Sequence, residues 1–476
     1  MLNVVSFLFD RNKNNVGCAL RDPVGEISYQ NLEVQTKKFA TWLLNHNVGA
    51  HDHIVLVAPD QIATAVAFLA AMYIGAVASI ISPRLPKEKI KLLAEYLDPT
   101  MTLDENQLGQ ALEESMALFP CKAYPTSGHD PCAMIRTSGT TGDAKISIHT
   151  HLSFFYNAMI CHSNYLLESK DKVYYTSKLH SGFGTSLFLA SLWAGSENFL
   201  DPDLVTHFKV KNNIDRFEPT KFFSTPSIYS DLCAKSDVTS MSKIDRCVVG
   251  GERLNNLLLE RWQSKTGKKL FNSYGTTELL SGPLANHQGT AALGKVIPGW
   301  QVRIVDENNK EVAAGTVGIL QVKNYASAFG IGYWKSQHHA QMFGQWFHTN
   351  DLVQRDTDEV YHFHGRKGDI VKISGEWINL SSIDQALIEH PSILNACCIV
   401  NESDQGVDQI EAVVIPYNSA GNISELKLNL QDYLALTHKK IKLPKKIHVV
   451  DKITTTDSGK ISRYLTTQQL IQKEKL

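Results

Sequence analysis

The stretch Thr137–Lys145, reading Thr-Ser-Gly-Thr-Thr-Gly-Asp-Ala-Lys, gathers the groups that hold a polyphosphate. Hydroxyls of Thr137, Ser138, Thr140 and Thr141 can donate to phosphate oxygens, and Lys145 adds a full positive charge. Gly139 and Gly142 let the backbone approach an anion, and successive N–H groups in such a loop form an anion-binding nest. The spacing is not that of the G-x-x-x-x-G-K-[ST] loop. Taken alone, a Gly/Thr surface loop also explains the composition, so the assignment depends on what else the chain carries.

Four more segments carry chemistry. Tyr274–Glu278 reads Tyr-Gly-Thr-Thr-Glu and Gly344–Asp351 reads Gly-Gln-Trp-Phe-His-Thr-Asn-Asp. Gly365–Lys372 reads Gly-Arg-Lys-Gly-Asp-Ile-Val-Lys, and Ser458–Arg463 reads Ser-Gly-Lys-Ile-Ser-Arg. With Thr137–Lys145 they resemble, in order and spacing, the motifs of the adenylate-forming superfamily: acyl- and aryl-CoA ligases, peptide-synthetase adenylation domains and luciferases. The texture is closest to aryl and benzoate-type CoA ligases. The resemblance implies an enzyme that joins a carboxylate to the α-phosphorus of ATP, releases pyrophosphate, and passes the acyl group to a thiol. ATP, Mg²⁺ and coenzyme A are the implied cofactors, with the phosphopantetheine of an acyl carrier protein as the alternative acceptor. Because two anions must meet, the site has to neutralise charge on attacker, phosphorus and leaving group together.

The resemblance divides that work among residues. Tyr274 offers a flat face for adenine, with room for a ring beside Gly250 and Gly251, and Asn272 has the donor–acceptor amide suited to an adenine edge. Gly275 belongs to the same nucleotide loop. Thr276 and Thr277 can bond the α-phosphate and the substrate carboxylate, and Glu278 is the candidate Mg²⁺ ligand, since Mg²⁺ beside phosphates takes one or two carboxylates. Asp351 accepts from both ribose hydroxyls, and Arg366 offers planar donors to ribose or phosphate. Lys460 is the expected catalytic lysine, carried on the loop Thr454–Gly459. Four positions depart from the family's pattern: Asn350 replaces the usual Gly, Gly368 stands at the hinge where Asp or Lys is usual, and Ala144 and Ile146 replace Pro and Gly. His362 and His364 share a strand face, but no third ligand sits at metal-site spacing.

Lys178–Phe188 resembles the acyl-pocket entry of aryl-CoA ligases, with His180 at the pocket mouth and Phe183, Phe188 and Trp193 as either apolar walls or core, since their helical spacing fits both equally. Phe183-Gly-Thr-Ser has no Asp to pair an α-ammonium, which argues against an amino-acid substrate and for a small aromatic or short-to-medium carboxylic acid. Gly375, Glu376 and Trp377 are the expected wall of the thiol tunnel. The run His438–Lys446 holds five lysines, among them Lys439 and Lys440, which either rim that tunnel or form a solvated basic face. Other classes fit less well. A kinase-like ATPase lacks its signature, and a non-catalytic nucleotide-binding protein would have lost the catalytic groups that remain here.

A chain of 476 residues exceeds one ordinary core. The division expected is an N-terminal adenylate-forming domain over residues 1–366 and a mobile α+β C-terminal lid over 367–476. Within the first, apolar strands alternate with helices: His53–Ala58 precedes Ile62–Ile74, and Arg246–Gly250 precedes Leu254–Lys265. Such alternation predicts α/β subdomains with largely parallel sheets. From Gly299 short strands between turns predict a β-rich subdomain closing the large domain. In the lid, Ile383–Glu389 and Ile423–Thr437 read as helices and Ala396–Val400 and Ala412–Pro416 as strands. The uncharged run Ile62–Ser82 is long enough to span a bilayer, but Gly75 breaks it into a buried helix and strand. Eight scattered cysteines without a C-x-x-C pair, no evident secretory leader and a net charge of −1 fit a cytoplasmic enzyme with no nucleic-acid partner. It is expected as a monomer or homodimer.

Overall fold

The computed structural model of the chain describes residues 1–137, 145–280, 282–324, 330–335, 346–373, 376–402, 408–417, 422–438, 441–455 and 461–474. The strands Lys172–Tyr175, Lys221–Ser224, Arg246–Gly250 and Leu270–Ser273 run parallel, side by side, in a nine-stranded sheet. Their central positions are largely apolar because both faces are covered. Val173, Tyr174, Phe222, Phe223, Cys247 and Val249 are all fully buried.

A six-stranded sheet is built around Pro131–Arg136, Val77–Ile81 and His53–Val57, which run parallel to one another. The run tested above for a membrane span forms the helix Ile62–Tyr73 and the strand Val77–Ile81, both in the core. Among the described residues, no helix is long and apolar enough to cross a membrane.

Ligands in open α/β sheets gather outside the carboxyl ends of the strands, and three chemical segments start there. Thr137 follows Pro131–Arg136, Gly251 follows Arg246–Gly250, and Tyr274 follows Leu270–Ser273. The expected β-rich subdomain is an antiparallel sheet of Trp300–Val305, Val317–Asn324, Phe347–Arg355 and Tyr361–Arg366. Its core contains Leu320, Val322, Val353 and Tyr361 together with Tyr274, Leu279 and Leu284. The loop that starts at Tyr274 and this sheet therefore share one packed interior.

The large N-terminal part is followed by a smaller C-terminal one with its own core, in which Leu387, Cys398, Ala412, Val414, Leu430 and Leu434 are fully buried. Its elements are the hairpin Ile370–Ile373/Glu376–Asn379, the sheet Ile393–Glu402, Asp408–Pro416 and Lys446–Val449, and the helices Leu380–Ile388, Ile423–Thr437 and Arg463–Glu474. The first of these sheet strands is longer than the expected Ala396–Val400 because it pairs with Asp408–Pro416 along its whole length. Among the elements with no counterpart in the sequence analysis are Lys221–Ser224 and the helix Pro226–Lys235 that follows it. The strand is too short to show a period, but Thr225 as N-cap and Pro226 in the first turn are a helix-start signal.

Candidate active site

Asp351 is 1% exposed and holds two partners. The Tyr274 hydroxyl donates to its Oδ2 at 2.7 Å, and Arg366 Nε donates to its Oδ1 at 3.0 Å. Strand pairing sets the second contact, since Asp351 lies opposite Arg366 in the ladder. Burial pushes the Asp351 carboxyl above its ordinary range, while the Arg366 charge and the Tyr274 hydrogen bond pull it back down. Burial and the Asp351 charge also raise the Tyr274 phenol well above its ordinary value, so it stays a donor. A carboxylate oxygen has two lone pairs, so each Asp351 oxygen retains capacity for a hydroxyl donor. Asn350 sits at φ +60°. This left-handed conformation is one that Asn tolerates, which explains how it replaces glycine.

The aromatic face expected of Tyr274 is largely enclosed, since the residue is 8% exposed and packed in the core of the four-stranded sheet. The room expected beside Gly250 is taken by a neighbour: a Cβ built there would stand 3.0 Å from Phe183 Cε1. Only glycine lets that ring approach the strand end. Gly251 follows at φ +87°. The Asn272 amide nitrogen is committed to the carbonyls of Ala291 and Ala292 at 2.9 and 3.2 Å, which leaves its oxygen as the group suited to an adenine amine.

Lys145, Tyr333 and Glu278 come together from three distant segments. Thr137 closes the base of its loop on Lys145 by a backbone bond of 2.8 Å and a hydroxyl bond of 3.1 Å, both to the Lys145 carbonyl. The Lys145 ammonium lies 4.9 Å from the Tyr333 ring centre, and the Tyr333 hydroxyl donates to Glu278 Oε1 at 2.7 Å. A fixed single carboxylate beside a cationic loop fits Mg²⁺ held jointly with phosphate oxygens. The Thr276 hydroxyl is buried and without a hydrogen-bond partner among the described residues. Such a group costs free energy unless something completes it, and a phosphate oxygen would. Gly275 is exposed in the same loop. Thr277 packs on the start of the helix Gly182–Ala194; a Cβ at Gly182 would lie 2.9 Å from Thr277 Cα. The amino end of that helix favours negative charge. Ser138, Gly139, Thr140, Thr141 and Gly142 lie outside the described residues, as does Lys460.

The acyl-pocket residues separate. Phe183 faces Gly250 and meets Phe223 edge-on at 6.5 Å. Phe188 is fully buried in the main core, and Trp193 packs on Phe7 and Phe155, so both belong to the interior. Their helix is buried on nearly every face, so periodicity could not single out a pocket wall. His180 borders a cavity with Ser82, Leu93, Met134 and Arg136, and burial with Lys178, Arg136 and Arg84 nearby lowers it to about 4. Asp60, unnoticed in the sequence, accepts from Leu179 N at 2.9 Å and so holds the turn carrying His180.

In the C-terminal part, Glu376 pairs with Lys442 at 3.0 Å, and Trp377 is 72% exposed with Lys372 Nζ 5.5 Å from its ring centre. Gly375, Lys439 and Lys440 lie outside the described residues. Gly368 sits in the turn Lys367–Asp369 between the four-stranded sheet and the hairpin, and a Cβ there meets nothing within 4 Å. His362 is 2.8 Å from Asp356 and His364 is 3.1 Å from Gln354. Tyr333 and Glu252 also escaped the sequence reading. No motif marks Tyr333, and only the fold brings it to Glu278, whereas Glu252 directly follows Gly251 in the sequence.

Residues 11–334 match the family model of the AMP-binding enzymes, and residues 382–460 match the model of the AMP-binding enzyme C-terminal domain. A 3-hydroxybenzoate–CoA ligase of Aromatoleum sp. (strain CIB) is 25% identical, covering 92% of this chain and 90% of its own length. A benzoate–CoA ligase of Thauera aromatica is 28% identical over 79% of this chain and 75% of its own. Among solved structures, a benzoate CoA ligase from Burkholderia xenovorans LB400 superposes with a TM-score of 0.88 at 23% identity, covering 98% of this chain and 99% of that one. An anthranilate CoA ligase in complex with anthranoyl-AMP gives 0.89 at 21% identity, covering 100% and 98%.

Proposed function

The chain belongs to the AMP-binding enzyme family, and on that premise we propose that it activates a small aromatic carboxylic acid with ATP and transfers the acyl group to CoA. The observation that carries this reading is the Asp351 carboxylate held by Tyr274 and Arg366, together with the partnerless Thr276 hydroxyl at the same loop. The first is a seat for a ribose and the second a donor for a phosphate. Glu278, fixed by Tyr333, and Lys145 would hold Mg²⁺ and the outer phosphates; the ion would supply charge neutralisation when bound. Lys460 is the proposed catalytic lysine and Gly368 the proposed hinge, with the domain boundary at residues 366–367.

An aromatic acid is supported by Phe183 against Gly250, which presents an apolar ring where an α-ammonium would need a carboxylate. The curated relatives are named for benzoate and 3-hydroxybenzoate and for CoA as acceptor, which favours the same classes here. Among the described lysines of the basic run, Lys442 is paired with Glu376 and Lys446 lies 3.6 Å from Glu411, and these two give no separate support for a carrier protein. The test is incubation with ATP, Mg²⁺, CoA and an acid panel of benzoate, 3-hydroxybenzoate, anthranilate, butyrate and octanoate. Aryl-CoA with equimolar AMP is the expected product by mass spectrometry. Thioester formed only from the aliphatic acids would overturn the substrate class, and loading of a carrier protein without CoA turnover would overturn the acceptor.

A further inference from the structure

Glu252 joins the two parts of the molecule. It lies two residues past the strand Arg246–Gly250, and its carboxylate is shared between them. Oε2 accepts from the backbone N of Ser227 at 3.1 Å and from the Ser227 hydroxyl at 2.6 Å, in the first turn of the helix Pro226–Lys235. Oε1 accepts from the backbone N of Ile461 at 3.0 Å, 209 residues away. Ile461 directly follows Lys460 in the chain. It also forms an antiparallel bridge with Thr455, and Ser462 N donates to the Thr454 carbonyl at 3.0 Å. Two positions on, Arg463 is anchored inside the C-terminal part, to Asp384 at 2.5 Å and to the Cys398 carbonyl at 2.7 Å.

We propose that Glu252 is a positioning residue that holds Ile461, the residue after Lys460 in the sequence, beside the proposed nucleotide site during acid activation. Three features make this more than a surface contact. One carboxylate oxygen is fixed by two donors at a helix amino end, where negative charge is favoured, so the other is preorganised. The acceptor is charged, and charge-assisted bonds are the stronger class. The donor is the backbone of Ile461, so the bond fixes main chain rather than a side chain. This role rests on the acid-activation reading, and it predicts a split between the two half-reactions.

The test uses the full chain with the best acid of the panel. Glu252→Ala should lower the exchange of labelled pyrophosphate into ATP about ten- to hundredfold, the size of one lost bond to a charged group. Thioester formation from the supplied acyl-adenylate and CoA should stay within about twofold, and ATP affinity by calorimetry should not change. Glu252→Gln keeps an acceptor for Ile461 and should recover part of the loss. Ser227→Ala, which only loosens the carboxylate, should give a smaller loss with the same split. Equal loss in both halves, weakened ATP binding, or undiminished exchange would each overturn the docking role. Wild-type protein inert with every acid would instead count against the acid-activation reading itself.

Discussion

The Tyr274 hydroxyl donates to Asp351 Oδ2 at 2.7 Å, joining a loop of the parallel sheet to a strand of the antiparallel one across 77 residues. Arg366 takes the other oxygen from the neighbouring strand. The carboxylate is thus aimed before any ligand arrives, and a preorganised acceptor loses little freedom on binding. Three separate sequence motifs meet on one side chain.

Asp351→Ala should raise the KM for ATP about tenfold or more, because hydrogen bonds to a charged group contribute roughly 1.5–3 kcal/mol each. Tyr274→Phe keeps the carboxylate and removes one of its aiming bonds, so its effect should be smaller. Calorimetry of ATP binding decides. Normal affinity in Asp351→Ala would remove the ribose assignment.

Thr276→Val should separate stability from function. The Thr276 hydroxyl is buried without a partner among the described residues, so replacing it with a methyl of the same shape removes a polar group that they leave unsatisfied. Urea denaturation should show stability equal to or above wild type, while adenylate formation falls. A clear loss of stability would mean that the hydroxyl has a structural partner.

Much of this arrangement was legible in the sequence because it lies in short runs with chemical reasons for their composition. The helix Ile423–Thr437 and the strand Arg246–Gly250 emerged with their expected bounds. Asp351 and Arg366 were found through their motifs, although not that each would hold the other. What was hidden is contact at long range. Tyr333 acquires its meaning only because the strand Gly332–Tyr333 pairs with Ile146–Thr150 and comes to rest beside Glu278. Between pocket wall and core, the sequence does not decide for Phe188, because a helix buried on nearly all sides carries no period that marks a face; the structure buries it in the core.

Lys460→Ala should cut the adenylate half-reaction by roughly 10²–10³, the size expected for one preorganised charge lost from a transition state. Thioester formation from a supplied adenylate should persist. Stopped-flow or quench measurements of the two halves would show this, and equal losses would remove the single-step role.

Acid should unfold the protein through its neutral buried histidines. Burial lowers His149 to about 3, and His151 to about 4. An unfolded histidine titrates near 6.5, so between that value and the folded one the unfolded state binds more protons. The stability these groups contribute is full above pH 6.5 and is lost as pH falls, by up to about 1.4 kcal/mol per pH unit for each. Asp60, raised by burial to about 6, acts in the opposite sense, gaining stability as pH falls through that value. His149→Gln should therefore flatten the fall in stability between pH 7 and 5 relative to wild type, as read by denaturant midpoints at each pH. An unchanged slope would mean that His149 does not titrate as its burial requires.

The most direct measurement of the central claim is exchange of labelled pyrophosphate into ATP by the full chain without CoA, with each acid of the panel in turn. The account predicts exchange that depends strictly on a carboxylic acid, is strongest with an aromatic one, and collapses in Lys460→Ala. Exchange without any acid, or release of ADP and phosphate in place of AMP and pyrophosphate, would contradict it.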